Sequence, residues 1–458
     1  MIRLFDSLKT EVRPLRLREP GKVSMYVCGP TVYGLPHMGH GRFTLVWDML
    51  RRWLTFQGYD VNFVSNITDI DDKIINLAAA QGTTESAIAD RYEQEWWTAM
   101  AKIGVAPPTH SPHATDYVAE MVTLIEELAS QDIAYRLSDG MYFDTSRVAD
   151  YGALAGQPLD SLRAGARIET VEEKRSPLDF ALWKNAKEGE PSWPASFGAG
   201  RPGWHTECVV MSLGLLGDGF DLHCGGLDLK FPHHENERAQ AVASGHPFAQ
   251  HWAHNGFVMV DGEKMSKSLD NFTSLTDLLN RTDPRAYRLL VLRSHYRSPI
   301  EVSPATIEDA ERALDRLDSL ARRFELPALA GEEFVSAANQ PAGMLSDRVT
   351  EYLEDDLNSP LAVAALFEAL SQANTLADEG QGDEAQNLAE AINTLFGALG
   401  LTLRGQSSAI DAESAEIVKL RDQAREGKNW TEADRLRDSL VKLGWVVEDS
   451  PTGTVIRR

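Results

Sequence analysis

Three sets of side chains in this sequence are of types and spacings that could do chemistry. The first is the pair His37 and His40 in His37-Met38-Gly39-His40. Imidazoles three apart at the start of a helix can hydrogen-bond phosphate oxygens and stabilise charge that builds in a transition state, and a helix N-terminus itself favours phosphate. The second set is Cys28, Cys208, His233 and Glu237. Two thiols, an imidazole and a carboxylate make a four-ligand zinc set. No tight CxxC spacing ties them together, so two buried apolar cysteines and a surface His–Glu ion pair account for the same residues. The third set is Lys264 and Lys267, three apart in Glu263-Lys264-Met265-Ser266-Lys267-Ser268. Such lysines are mobile point charges suited to a polyphosphate that is held and then released; a solvated loop is the plainer alternative. His234-Glu235 begins a zincin-like pattern, but Arg238 stands where the second histidine belongs, which argues against a metalloprotease.

The elements that must position these residues follow from periodicity. Val23, Met25 and Val27 alternate as a half-buried strand that stops at Cys28-Gly29-Pro30, and Leu45, Val46, Met49, Leu50, Trp53 and Leu54 recur at helical spacing. A second strand spans Val61 to Val64, giving a βαβ unit and hence the start of a parallel, nucleotide-binding sheet. Ligands of such sheets lie at the carboxyl ends of strands, which puts Thr68 and Asp69 near whatever His37 sees; either can equally cap the next helix. Gly225-Gly226-Leu227-Asp228 closes a later strand, where glycine admits a ligand to the backbone and Asp228 can accept from ribose hydroxyls. Pro232 suits the first turn of a helix on which His233 and Glu237 share a face.

The expected organisation is a catalytic first half over 1–110, an inserted segment over 111–200, a second half over 201–325 that resumes at Gly203, a helical bundle over 345–400 and a small module over 415–458. In the bundle, Leu361, Val363, Leu366 and Leu370, then Leu388, Ile392, Leu395 and Leu399, read as buried faces. Gly405 to Ser414 reads as a linker.

With 458 residues, a net charge of −23 and three cysteines, the chain reads as a soluble protein of a reducing, cytoplasmic compartment, without a disulfide framework. No apolar run reaches the ~20 residues of a membrane helix, and no secretory leader is visible. The acidity taken alone argues against nucleic acid, but a large RNA needs only a local basic surface. From Ala415 to Arg458 there are nine Lys/Arg against eight Asp/Glu, net +1, so the acidity lies elsewhere.

Together these residues resemble the class I aminoacyl-tRNA synthetases, most closely the cysteinyl-tRNA synthetase family. His37-Met38-Gly39-His40 resembles the HIGH signature with Met for Ile, and Lys264-Met265-Ser266-Lys267-Ser268 matches the KMSKS loop. Cys28, Cys208, His233 and Glu237 fall on the family's zinc-ligand positions. The resemblance spans nearly the whole chain; Cys224 departs from it, standing where a glycine is common.

The resemblance implies an α/β fold: a Rossmann-like class I catalytic domain with an insertion, then a helical bundle and a C-terminal α+β anticodon-binding module, where Arg435, Arg437, Lys442, Arg457 and Trp445 could meet RNA. It implies ATP-dependent ligation of L-cysteine to tRNA(Cys) through cysteinyl-adenylate by a monomer, with one Zn²⁺ selecting the substrate thiolate and Mg²⁺ accompanying ATP. His37, His40, Lys264 and Lys267 are the expected catalytic residues. Gly226 and Asp228 join His37, His40 and Lys267 around ATP, and Thr68 and Trp204 lie against the substrate cysteine. No editing domain is expected, because zinc separates thiol from hydroxyl. The nearest rival, a ligase joining activated cysteine to an amino sugar, lacks a C-terminal anticodon module; a silent RNA-binding paralogue would not keep all three sets.

Overall fold

The strand Lys22–Val27 is buried at every residue after Lys22. Alternation suggests one solvated face, yet both faces are covered, because the strand lies inside a parallel sheet and such sheets carry cover on both sides. The computed structural model describes residues 2–156, 173–260, 263–264, 274–329, 335–336, 340–405, 412–443, 445–450 and 453–457. Four parallel strands form the central sheet in the order His251–Asn255, Leu222–Gly226, Lys22–Val27, Asp60–Ser65. The helix Met38–Phe56 makes the first crossover. Its Leu45, Val46, Met49, Leu50, Trp53 and Leu54 are all buried, as their helical spacing requires.

Between the second and third of these strands in chain order lies a separate four-stranded antiparallel sheet of Ala134–Arg136, Gly140–Phe143, Phe180–Asn185 and Gly200–Pro202. The chain rejoins the parallel sheet at Leu222 and not at Gly203, which instead N-caps the helix Trp204–Leu216. The next helix cap also departs from expectation. Asp71, not Thr68 or Asp69, caps Asp72–Gln81 by accepting from Lys73 N–H, while the Asp69 carboxylate accepts from Thr115. Pro232 precedes the helix it was assigned to: Phe231–Pro232 is a cis peptide, and the α-helix runs Glu235–Ala243.

After the central sheet, Val258–Val260 pairs with Ile300–Glu301 in parallel and with Glu263–Lys264 antiparallel. The helices Met344–Glu354, Ser359–Asp378 and Gly382–Ala398 then pack as a bundle that shares one continuous core with the catalytic sheet. Leu361 departs from its expected burial at 46% exposed, since it shares the outward face of its helix with the exposed Ala364 and Glu368; Leu388 is half-buried. Asp356 locks the junction, accepting from Phe5 N–H, Tyr296 Oη and Arg297. A last unit has its own small core of Leu440, Trp445, Val447 and Ile456, built on the helices Ala412–Glu426 and Trp430–Lys442 and the hairpin Val446–Ser450/Gly453–Arg457. Helix therefore begins inside the segment expected as linker. Trp445 is a core residue, donating to Ser414 Oγ at 2.7 Å, and is not a surface for RNA.

Candidate metal centre and nucleotide cleft

The carboxyl ends of three of the four parallel strands open on one cleft of about 260 Å³. Cys28 to Thr31 follow the first strand, Gly226 and Asp228 the third, and Asn255 to Val258 the fourth, and all of them line it with His37, His40 and Trp204. Close packing shapes this end of the sheet. A Cβ on Gly29 would sit 1.6 Å from the Asn66 carbonyl oxygen, so only glycine lets the two strand ends meet here.

The four cysteine, histidine and carboxylate donors converge beneath the cleft, and of them Cys28 lines it. Cys28 Sγ lies 3.6 Å from Cys208 Sγ and 3.5 Å from Glu237 Oε1, and Cys208 Sγ lies 3.5 Å from His233 Nε2. His233 Nε2 and Glu237 Oε1 are 3.0 Å apart. Tetrahedral zinc with bonds of about 2.0–2.3 Å needs ligand–ligand edges of about 3.3–3.8 Å, and three of these four spacings match. A disulfide needs sulfurs about 2.05 Å apart, so the thiols are spaced for a shared ion, and all three cysteines are free. The ion pair is no surface feature either: His233 and Glu237 are fully buried. Burial pushes the Cys28 thiol well above its ordinary pKa, with Cys208 and Glu237 adding to the shift. Burial also holds His233 well below its ordinary range, so its ring is neutral, the form that ligates.

Outer partners orient these donors. His233 Nδ1 meets His205 Nδ1 at 2.9 Å, and His223 Nε2 meets the second Glu237 oxygen at 2.7 Å. Trp204 stacks on His233 with ring centroids 4.0 Å apart and remains 37% exposed to the cleft. Cys224 is fully buried in the hydrophobic core and belongs to neither group of metal-spaced donors found among the described residues. Thr68 is placed differently from Trp204. It is buried and donates its hydroxyl to Glu207 Oε2 at 2.8 Å, and it is not among the residues lining the cleft. Glu207, buried next to Cys208, is a partner of Thr68 that sequence reasoning passed over. Burial raises its pKa well above the carboxylate range, and nothing in its spacing distinguishes it from a surface glutamate.

At the mouth, His37 caps the Met38–Phe56 helix. His37 Nδ1 accepts from His40 N–H at 3.2 Å, His40 Nδ1 accepts from His37 N–H at 3.3 Å, and the rings stack 3.5 Å apart. This reciprocal box leaves the proton of each neutral ring on Nε2, a donor suited to phosphate oxygen. Lys264 lies in the Glu263–Lys264 strand. Lys267 lies outside the described residues.

Three family profiles match the chain: the class I (C) tRNA synthetase catalytic domain over 14–312, the DALR domain over 348–404 and the cysteinyl-tRNA ligase anticodon binding domain over 407–457. Over their full lengths, the chain is 43% identical to a cysteine–tRNA ligase of Chromobacterium violaceum and 45% identical to one of Alkalilimnicola ehrlichii, each covered 100% on both sides. Among solved structures it resembles Mycobacterium tuberculosis methionyl-tRNA synthetase in complex with methionyl-adenylate. That match has a TM-score of 0.61 and 16% identity, over 90% of this chain and 96% of that one.

Proposed function

The chain belongs to the cysteine–tRNA ligase family of class I synthetases, and from that premise we propose that it charges tRNA(Cys) in two steps with a zinc-held substrate thiol. The cysteine carboxylate attacks the α-phosphorus of ATP, which is accompanied by Mg²⁺, and pyrophosphate leaves as the anhydride bond breaks. A ribose hydroxyl of the terminal tRNA adenosine then attacks the adenylate carbonyl, releasing AMP. Little covalent work falls to the protein, so positioning and electrostatics dominate.

In this reading the Nε2–H groups of His37 and His40 meet the phosphates as charge develops. Gly226 gives ATP access to the backbone, and Asp228 accepts from its ribose. Lys264 and Lys267 close on the pyrophosphate end. Trp204 walls the substrate side chain against His233, and Thr68 acts beneath it, through Glu207. Cys28, Cys208, His233 and Glu237 would hold the zinc. When bound there, the ion offers a thiolate a coordination site that the harder, more basic serine hydroxyl cannot use.

The observation that carries this reading is four buried donors, spaced for one ion and reaching through Cys28 a cleft that a phosphate-type histidine pair also lines. Three buried, free cysteines suit the reducing cytoplasm. The test is cysteine-dependent ATP–pyrophosphate exchange followed by charging of tRNA(Cys). Exchange without charging, but with ligation to an amino sugar, would overturn the proposal.

A further inference from the structure

Arg42 lies two residues beyond His40 on the first helix and is 1% exposed. Among the described residues its guanidinium meets no carboxylate. Nη1 donates to the Phe257 carbonyl; Nη2 donates to the carbonyls of Ser298, of Tyr296 at 3.2 Å and of His295 at 3.5 Å. A buried cation without a counter-charge costs far more to desolvate than an apolar side chain of the same size. Core filling alone therefore does not account for arginine at this position. What arginine supplies is a rigid fork that reaches two chain segments at once.

Those segments are 256–258 and 295–298, and they are held close by design of the backbone. A Cβ on Gly256 would lie 2.6 Å from the carbonyl oxygens of both Arg297 and Ser298. Gly256 N–H donates to Tyr296 O at 2.8 Å, and Ile300 N–H donates to Phe257 O at 2.9 Å. Asn255, Gly256, Phe257 and Val258 line the cleft. From them the chain runs directly into Val258–Val260, whose antiparallel partner carries Lys264. On the far side, Tyr296 and Arg297 are gripped by Asp356 of the bundle junction.

We propose that Arg42 is a positioning residue for adenylate formation: it fixes the Val258–Val260 strand, whose antiparallel partner carries Lys264, relative to the His37–His40 pair on its own helix. This rests on the proposed function for its kinetic consequence, though not for its structural one. Both ends of the phosphate-handling machinery are then referred to a single side chain, and neither the metal donors nor Trp204 depends on it.

The test compares the Arg42→Met and Arg42→Lys variants with the parent full-length protein. Methionine leaves the Phe257 and Tyr296 carbonyls still paired with Ile300 and Gly256, so the fold is expected to survive. In Arg42→Met, kcat for cysteine-dependent pyrophosphate exchange should fall about 10²-fold, the scale of an ångström-sized misplacement. Zinc content and the KM for cysteine should stay unchanged, and amide exchange at Ile300 and Val302 should quicken. Arg42→Lys, which keeps the charge but not the fork, should fall in between. A folded Arg42→Met with kcat within about twofold of the parent overturns the proposal, as does loss of zinc and cysteine affinity in step with kcat. If Arg42→Met fails to fold, an unaltered kcat in Arg42→Lys overturns it instead. Should the parent show no cysteine-dependent exchange, the proposed function fails. The amide protection of Ile300 and Val302 then still decides the positioning claim, and unaltered protection in both variants refutes it.

Discussion

At the residue scale, one strand–loop–helix carries part of both the donor cluster proposed to select and the histidine pair proposed to activate. Cys28 ends the strand and His37 begins the helix nine residues later. Cys28→Ala is expected to lose bound metal and cysteine selection. His40→Ala should keep the metal while kcat for exchange falls by roughly 10²–10³. Metal analysis beside exchange kinetics checks the division, and equal loss of metal in both variants would refute it. Thr68 carries a separate expectation. Thr68→Val strips the buried Glu207 carboxyl of its 2.8 Å donor, so urea unfolding should show a loss of about 1–3 kcal/mol. Histidine and cysteine identities made the donor cluster and the histidine pair legible in the sequence. Glu207, His205 and Arg42 were not, because their significance lies in burial and partners brought together from distant segments.

At the element scale, the helix Met38–Phe56 is the piece on which the others are set. Its Asp48 carboxylate meets Arg52 Nε at 2.8 Å and Arg288 Nη2 at 2.7 Å, while Arg288 also donates to the carbonyls of Ile103, Gly104 and Leu399. One buried group thus ties the helix Met38–Phe56, the loop after the helix Glu85–Lys102 and the end of the bundle. Burial alone would raise the Asp48 pKa, but Arg52, Arg288 and the Ala106 N–H overcome it, and the net shift is downward. A carboxylate depressed in the folded state contributes stability above its unfolded pKa of about 3.9 and loses it as pH falls through the folded value. Asp48→Asn should therefore cost about 3–5 kcal/mol near neutral pH, and its unfolding free energy should fall less steeply than the parent's below about pH 4. Chemical unfolding across that range reads both effects. The helix was legible from the spacing of its apolar residues. The tie was not, since a sequence reads Asp48 and Arg52 as an ordinary i, i+4 surface pair. The strand Lys22–Val27 misled in the same way: alternation suggested a solvated face that the parallel sheet's cover removes.

At the scale of the whole molecule, catalytic sheet and bundle share one core, whereas the terminal unit is stabilised by its own. Truncation before residue 407, where the anticodon-binding match begins, should leave cysteine-dependent pyrophosphate exchange within a few-fold of the parent and abolish charging of tRNA(Cys). Loss of exchange as well would show that the unit supports the catalytic fold. The order of the units was readable from composition and helical period. The interruption of the parallel sheet by an antiparallel one was only half readable, because its first strands carry hairpin signals while its last, Gly200–Pro202, looks like loop. The central claim of the proposed function is a thiol–hydroxyl choice made at the metal, and a spectroscopic reading of the metal tests it most directly. In the Co²⁺-substituted full-length protein, L-cysteine should raise the thiolate-to-metal charge-transfer band by about half, as a third thiolate joins two, and L-serine should leave it unchanged. An identical response to both amino acids, or a protein that takes up no cobalt, would contradict the account.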